Sequence, residues 1–398
     1  MTKIFSQIVN LFGISKLFRS GSRQRPKLNI SYADLDLTKN LSSTELDLIF
    51  AINEDSVIPA NNLALKTQSQ TIIDLHLEPN DQNMGNARFS HALSSADIVF
   101  SPNRKLATML EKKLQRHIVI SRHLTKQASV EKYIDLKKVY HLIEDTQLIL
   151  FDANICHPFI AKPYDMLKHN LMFLAALLGD LPRHMHVVVT GGIEENNIFD
   201  KHKQLFEKHN CQSRIHFYVE NLEAIKYPLD YSNIDIALLL SDQENHLPSQ
   251  YFKYLHEEVP IFATKFADAN QLILSADIGK IFDHQNSEIW AKEILELMNL
   301  SLVKRDELLE KIKTQKQHLN WQVEADHLMS SIMNVLDGDN SDKLTAAIVD
   351  LSDDQITDRA QNIGTLLVEQ GFEVSILTPR LPVTLAPVGH NIEYIKVS

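Results

Sequence analysis

The sequence predicts an α/β protein with two parallel-sheet units. Short apolar runs alternate with stretches at helical spacing along most of the chain, the pattern of strand–helix–strand crossovers. At 398 residues the chain is too long for one ordinary core. A polar loop at 241–248 follows directly on the apolar run 235–240. In open parallel sheets, ligands bind beyond the carboxyl ends of the strands.

Taken in order, residues 46–52 read as a buried strand and 58–66 as a helix. Residues 71–76 form a second strand, running into a polar loop with His76 and Glu78. A helix at 89–95, a strand at 97–101, a helix at 104–115 and a strand at 117–120 follow. The next unit opens with a strand at 147–151 and a helix at 164–178. The strand 186–192 ends in the pair Gly191 and Gly192, and a helix spans 198–209. Strands at 214–219 and 235–240, a helix at 248–255, a strand at 260–264 and a helix at 287–298 complete it. Residues 304–336 are helical, with Trp321, Ala325, Leu328, Ile332 and Leu336 on one face. A polar linker at 337–342 contains a helix stop at Gly338. Beyond it lie a strand at 344–349, a helix at 354–370 stopped by Gly371, and strands at 372–377 and 392–397.

The bulk chemistry excludes several classes. A net charge of -11 argues against a general nucleic-acid binder, which needs a positive footprint. Two cysteines, Cys156 and Cys211, form neither a disulfide framework nor a metal knuckle, which favours a reducing cytoplasm. His184, His186, His202 and His209 lack the companions of a zinc site, so no metal and no cofactor is expected. No run of about 20 apolar residues exists to span a bilayer. Residues 3–27 carry an apolar stripe flanked by Lys3, Lys16, Arg19, Arg23, Arg25 and Lys27. Two readings stand: a helix packed on its own domain, or peripheral contact with an anionic membrane surface.

The most specific signal spans residues 233–264. Asp235 opens an apolar strand that ends at Ser241, and an acidic loop with Glu244 follows. Then come Pro248 and Ser249, Tyr254 five residues on, and Val259, Pro260, Ile261 and Thr264. This resembles the donor-binding half of GT-B glycosyltransferases of the group-1 type. The resemblance implies two Rossmann-like domains and a cytoplasmic, hexosyltransferase-like enzyme of polysaccharide biosynthesis. Such an enzyme moves a sugar from a nucleotide-sugar donor to a surface-glycan or lipid-linked acceptor. The departing diphosphate gains negative charge, so helix amino ends, backbone N–H groups and cations should converge on it. Lys162 matches the family's diphosphate-facing lysine. Gly191 and Gly192 lie where backbone approaches the nucleotide, and Asn221 lies in the loop that meets the base. Glu244 and His246 are the loop's candidates for the sugar, and Ser249 and Gln250 open the helix toward the phosphates. On the acceptor side His76 would steer or deprotonate the acceptor hydroxyl.

The pattern is broken at informative places. Lys253 stands where the family has a ribose-binding glutamate, and a lysine donates but cannot accept. Glu258 replaces a glycine that ends the helix left-handed, a conformation glutamate adopts poorly. Asp152, Ala153 and Asn154 stand in place of the family's arginine, and residues 351–355 replace a glycine-rich loop. These changes fit an altered donor. They equally fit a degenerate, non-catalytic module that binds glycan or a partner transferase.

The order of parts is also unusual. Residues 359–377 resemble the opening of a GT-B acceptor domain, and residues 1–45 do not. One explanation is circular permutation. Residues 1–140 with 343–398 would then form the acceptor domain, 146–303 the donor domain, and 304–336 the returning helices. The other is a tandem or split arrangement in which 343–398 begins a second module.

Overall fold

The computed structural model describes residues 37, 41, 45–75, 81–124, 133–153, 163–191, 198–218, 228–241, 244–283, 286–336, 344–352, 357–379 and 392–397. They form two all-parallel sheets. The first combines β1 (Leu48–Ile52), β2 (Gln70–Asp74), β3 (Ile98–Ser101) and β4 (Val119–Ile120) with three strands from the far end of the chain. Those are β11 (Thr345–Asp350), β12 (Glu373–Thr378) and β13 (Ile392–Lys396), in the order β13-β12-β11-β1-β2-β3-β4. The second contains β5 (Gln147–Asp152), β6 (Met185–Thr190), β7 (Ile215–Tyr218), β8 (Ile236–Leu239), β9 (Ile261–Thr264) and β10 (Gly279–Phe282). Its order is β10-β9-β8-β5-β6-β7.

The C-terminal segment therefore completes the first sheet. Leu48 sits opposite Ala346 and Ala51 opposite Val349, which makes β11 a central strand. Every residue of β1 is buried, as a strand covered on both faces requires. Side-chain alternation sends Ile49, Ala51, Ile73, Val99, Ala347 and Val349 to one core, and Leu48, Phe50, Ile72, Phe100, Ala346 and Ile348 to the other.

Three aspartates fix strand register in the same way. Each stands just before a strand and accepts a backbone N–H at the start of a neighbouring strand. Asp97 Oδ2 takes Thr71 N at 2.7 Å, and Asp235 Oδ2 takes Leu148 N at 2.8 Å. Asp47 Oδ2 takes both Thr345 N at 2.7 Å and Thr345 Oγ1 at 3.0 Å. A charged acceptor strengthens such bonds. The Asp–apolar starts legible at 47, 97 and 235 are thus sheet clamps.

The covering helices are α1 (Glu54–Thr67), α2 (Asp81–Gly85), α3 (Ala87–Ser95), α4 (Arg104–Leu114), α5 (Leu136–Val139), α6 (Pro163–Asp180), α7 (Ile198–Lys208), α8 (Ser249–His256), α9 (Ser287–Met298), α10 (Leu302–His318), α11 (Trp321–Val335) and α12 (Asp358–Glu369). Two expectations need correction, and one strand was not foreseen. Helix α1 begins at Glu54, not 58, and carries Pro59 inside it; tertiary burial of Val57, Ile58 and Pro59 overrides the usual proline stop. The stretch 304–336 is two helices, because Asn320 breaks it and caps α11 by accepting Val323 N at 3.1 Å. Strand β10 had no strong apolar signal. It depends on Gly279, where a Cβ would lie 1.8 Å from the Ile261 carbonyl oxygen. Helix α11 crosses back to the first sheet, burying Ala325, Leu328, Met329 and Ile332 against Leu48, Phe50 and Phe100.

Candidate active site

Parallel strands put their carboxyl ends at one edge, and here the loops from the two sheets meet. Asn103, after β3, donates from Nδ2 to the Asn245 carbonyl at 3.2 Å, within the loop after β8. Asp268, after β9, accepts Arg104 N, the first amide of α4, at 3.0 Å. Asp268 Oδ2 also lies 4.0 Å from Arg122 Nη2. A carboxylate of one sheet unit thus caps a helix of the other, where the helix dipole favours negative charge.

On the second-sheet side the motif residues hold the loop ends. Thr264 Oγ1 accepts Ser241 N at 2.8 Å, pinning the start of the loop. Tyr254, fully buried, accepts Asp152 N on its hydroxyl at 3.2 Å, tying α8 to the end of β5. Burial pushes the Tyr254 phenol well up. Gly191, directly after β6, is buried with φ 67, the left-handed backbone that glycine adopts without penalty.

Glu244 and Asn245 are exposed, His246 is half-buried, and the His246 carbonyl accepts Ala267 N at 3.0 Å. Ser249 is the first residue of α8 and does not cap it. Among the described residues no side chain accepts from this helix's first amides, and Ser249 Oγ reaches only Gln250 Oε1 at 3.5 Å. Ser249 and Gln250 thus open a helix whose amino end no described side chain caps, and such an end favours an anion. Lys253 is exposed one turn further along. Its Nζ lies 5.4 Å from the centre of the Tyr231 ring, a cation–π distance, and its charge also acts on Glu257. Burial raises the Tyr231 phenol to about 12, with the Lys253 charge working against that rise. Glu258 does adopt the left-handed conformation of the glycine it replaces, with φ 60, and pairs with Lys316 at 2.8 Å.

The structure thus brings Gly191, Glu244, His246, Ser249 and Gln250 to the carboxyl ends of the second sheet, and it turns Lys253 toward Tyr231. His76, Lys162, Gly192, Asn221 and residues 3–27 lie outside the described residues. No group of three metal-ligating side chains occurs among the described residues. A cavity of about 500 Å³ lies at the opposite, amino end of β8 and β9, lined by Tyr231, Asp235, Glu257, Pro260, Leu297 and Arg305. Burial raises the carboxyls of Asp235 and Glu257 there. Asp235 accepts Leu148 N there, in its role as a sheet clamp.

Sequence reasoning missed the polar cluster at the carboxyl end of the first sheet. Asp74 closes β2, fully buried, and its Oδ2 accepts Arg359 Nε at 2.8 Å. Arg359 Nη1 donates to the Arg122 carbonyl at 3.2 Å, and Nη2 donates to Ser121 Oγ. Ser121 Oγ donates onward to Glu324 Oε1 of α11 at 2.5 Å. Both connections between the sheets pass through this cluster. The only sequence signal was an acid ending an apolar strand, and its partner stands 285 positions away.

No protein-family model and no curated protein sequence matches the chain. Solved structures do. Anabaena Alr3699/HepE in complex with UDP superposes with a TM-score of 0.58 at 11% identity, over 72% of this chain and 79% of that one. A glycosyltransferase from Rickettsia africae ESF-5 gives 0.53 at 13% identity, over 80% and 85%. Sucrose-phosphate synthase from Thermosynechococcus elongatus gives 0.52 at 12% identity, over 72% and 73%. With two parallel sheets, facing strand ends and a helix returning to the first sheet, the chain shares the GT-B fold of these structures.

Proposed function

We propose that the chain is a glycosyltransferase that moves a sugar from a nucleotide donor to a glycan or lipid-linked acceptor. In this reading residues 146–303 bind the donor. Residues 1–140 and 343–398 bind the acceptor as a permuted domain, residues 304–336 return between them, and 337–342 link. The observation that carries the reading is the loop 244–250. It places the amino end of α8 and polar side chains beside the other sheet's loops, where a diphosphate could be held. The solved structure of similar fold that contains UDP supports the same donor class. Lys162, Gly192 and Asn221 join the donor site, and His76 with Glu244 serves the transfer. Residues 3–27 touch the inner face of the membrane if the acceptor is lipid-linked. No helix among the described residues is long and apolar enough to cross it.

Calorimetry with UDP, GDP, ADP and CMP sugars tests the reading, followed by transfer with the donor that binds. Lys162→Ala should weaken nucleotide binding by roughly 1.5–3 kcal/mol if its bond to diphosphate is charge-assisted. Unchanged affinity places the phosphates elsewhere. The second reading, a non-catalytic module, is favoured by one observation: Lys253 sits over Tyr231, offering no acceptor for a ribose. Lys253→Glu separates the two. Lower turnover supports the altered enzyme. Higher nucleotide affinity without turnover supports the module.

A further inference from the structure

We propose that the cavity at the amino end of the second sheet binds a small organic cation, an amine on an apolar body. The cavity measures about 500 Å³, within the range of small-molecule sites. It lies against the amino ends of β8 and β9, and the ends of α8 and α9 and the first half of α10 complete it. The donor-site candidates stand at the other edge of the same sheet. Helix α8 runs between the two, opening at Ser249 and capped at Glu257. Its eight residues span about 12 Å. The site therefore stands apart from sugar transfer and does not depend on it.

The lining divides by chemistry. Leu297, Leu308 and Leu309 are half-buried and bring apolar surface from α9 and α10. The charged share is acidic: Asp230, Asp235, Glu257 and Glu258 stand against Arg305 alone among the described lining residues, and Arg305 is exposed. Three of these acids already serve the fold. Asp230 Oδ1 accepts Ser232 N at 2.9 Å, Asp235 Oδ2 accepts Leu148 N at 2.8 Å, and Glu258 pairs with Lys316 at 2.8 Å. Glu257 is half-buried, and its carboxylate forms no hydrogen bond or ion pair with the described residues. Lys316 and Lys253 act on it only at longer range, and burial outweighs them and raises the carboxyl. An anion withdrawn from water without donors is under-compensated. An ammonium supplies both the opposite charge and the missing donors.

A second group points into the same chemistry. Tyr231 lines the cavity at 4% exposure, and its hydroxyl has no hydrogen-bond partner among the described residues. Buried hydroxyls are ordinarily bonded, so an orphan calls for an explanation. Lys253 acts on this phenol from over the ring. The hydroxyl oxygen can accept one ammonium N–H while Glu257 accepts another. An anionic ligand would meet four carboxyl groups, and a neutral one would leave the Glu257 charge unmatched.

The test uses the full chain, with 2-phenylethylamine and 3-phenylpropionate as probes near neutral pH. The two share a shape and differ in the sign of their charge. Calorimetry should give saturable binding of the amine with a Kd on the order of 0.1–1 mM, and none of the carboxylate. Glu257→Gln keeps the volume and removes the charge, so affinity for the amine should fall at least about 10-fold. Leu308→Trp fills the cavity and should abolish binding. Tyr231→Phe should weaken the amine by roughly two- to tenfold. It should leave the melting temperature of the free protein unchanged or higher, since the hydroxyl has no bond to lose. If Leu308→Trp fails to fold, Glu257→Gln still decides. No saturable amine binding below about 10 mM, equal affinity for the carboxylate, or unchanged affinity in Glu257→Gln overturns the proposal. A fall in the melting temperature of Tyr231→Phe shows that the hydroxyl serves the fold, and it too counts against the site.

Discussion

Arg359→Met is the sharpest probe of the architecture. Methionine keeps the length and apolar stem of arginine and removes every donor. The guanidinium side chain is 3% exposed, and its two acidic neighbours, Asp74 and Glu324, are 0% and 9% exposed. Water cannot replace the lost donors at such depth. Removing one partner of a buried ion pair costs about 3–5 kcal/mol, because the partner charge is left uncompensated. Against a domain stability of about 5–15 kcal/mol, that is about a fifth of the total or more. Urea unfolding measures the loss. Hydrogen exchange locates it: amides of β1, β2 and β11 should lose protection while those of β5, β6 and β8 keep theirs. The double variant Asp74→Ala with Arg359→Met should cost less than the two single changes added together, by about 1.5 kcal/mol or more. A single-variant loss under about 1 kcal/mol, or plain additivity, would refute the claim that this cluster holds the first sheet to its C-terminal strands.

Two further outcomes follow from local geometry. Glu258→Gly removes a left-handed strain of about 1–2 kcal/mol and adds about 0.5–1 kcal/mol of glycine entropy, so it should stabilise the protein slightly. The lost pair with Lys316 masks this at low salt, so the gain should appear in thermal unfolding at about 1 M salt, where the pair is screened, and its absence there counts against the strain. His216, tilted against the Tyr140 ring and 2.9 Å from His186, is held down to about 4 by burial and then by its histidine neighbour. The unfolded chain takes that proton near pH 6.5. Stability is therefore complete above about pH 6.5 and falls as pH drops toward 4. His216→Gln should flatten the melting temperature across that window, though not abolish its slope, since burial also lowers His186. Equal slopes in the two proteins would show that the ring is not the titrating group.

Most of the fold was legible because buried parallel strands are long apolar runs with punctuated ends. The run 46–52 and the run 344–349 announced themselves as buried strands; whether they pair stood open between two arrangements, and the structure pairs them. Strand β10 was missed because its residues, Gly279 to Phe282, lie at a sheet edge where only Phe282 is buried and the run is not strongly apolar. The donor-side loop was legible because its residues are consecutive. The Asp74–Arg359–Ser121–Glu324 cluster was not, because each member looks ordinary in its own neighbourhood. Thr264 and Tyr254 read as motif letters; in the folded chain they are ties between strand ends and α8. Glu258 shows the converse: the backbone kept its left-handed turn after the residue suited to it had gone.

The clamp from Asp47 to Thr345 joins residues 298 positions apart, with the whole second sheet between them. On the ribosome, β1 must therefore wait beside β2 with its other edge bare until the last strands emerge. The intervening unit can fold first and alone, since its strands are contiguous in sequence. An uncovered, fully apolar central strand is a template for the wrong partner. Biogenesis, more than finished stability, is then the vulnerable stage of this molecule. Chains stalled before residue 345 should depend on holdase chaperones in a way that the complete chain does not.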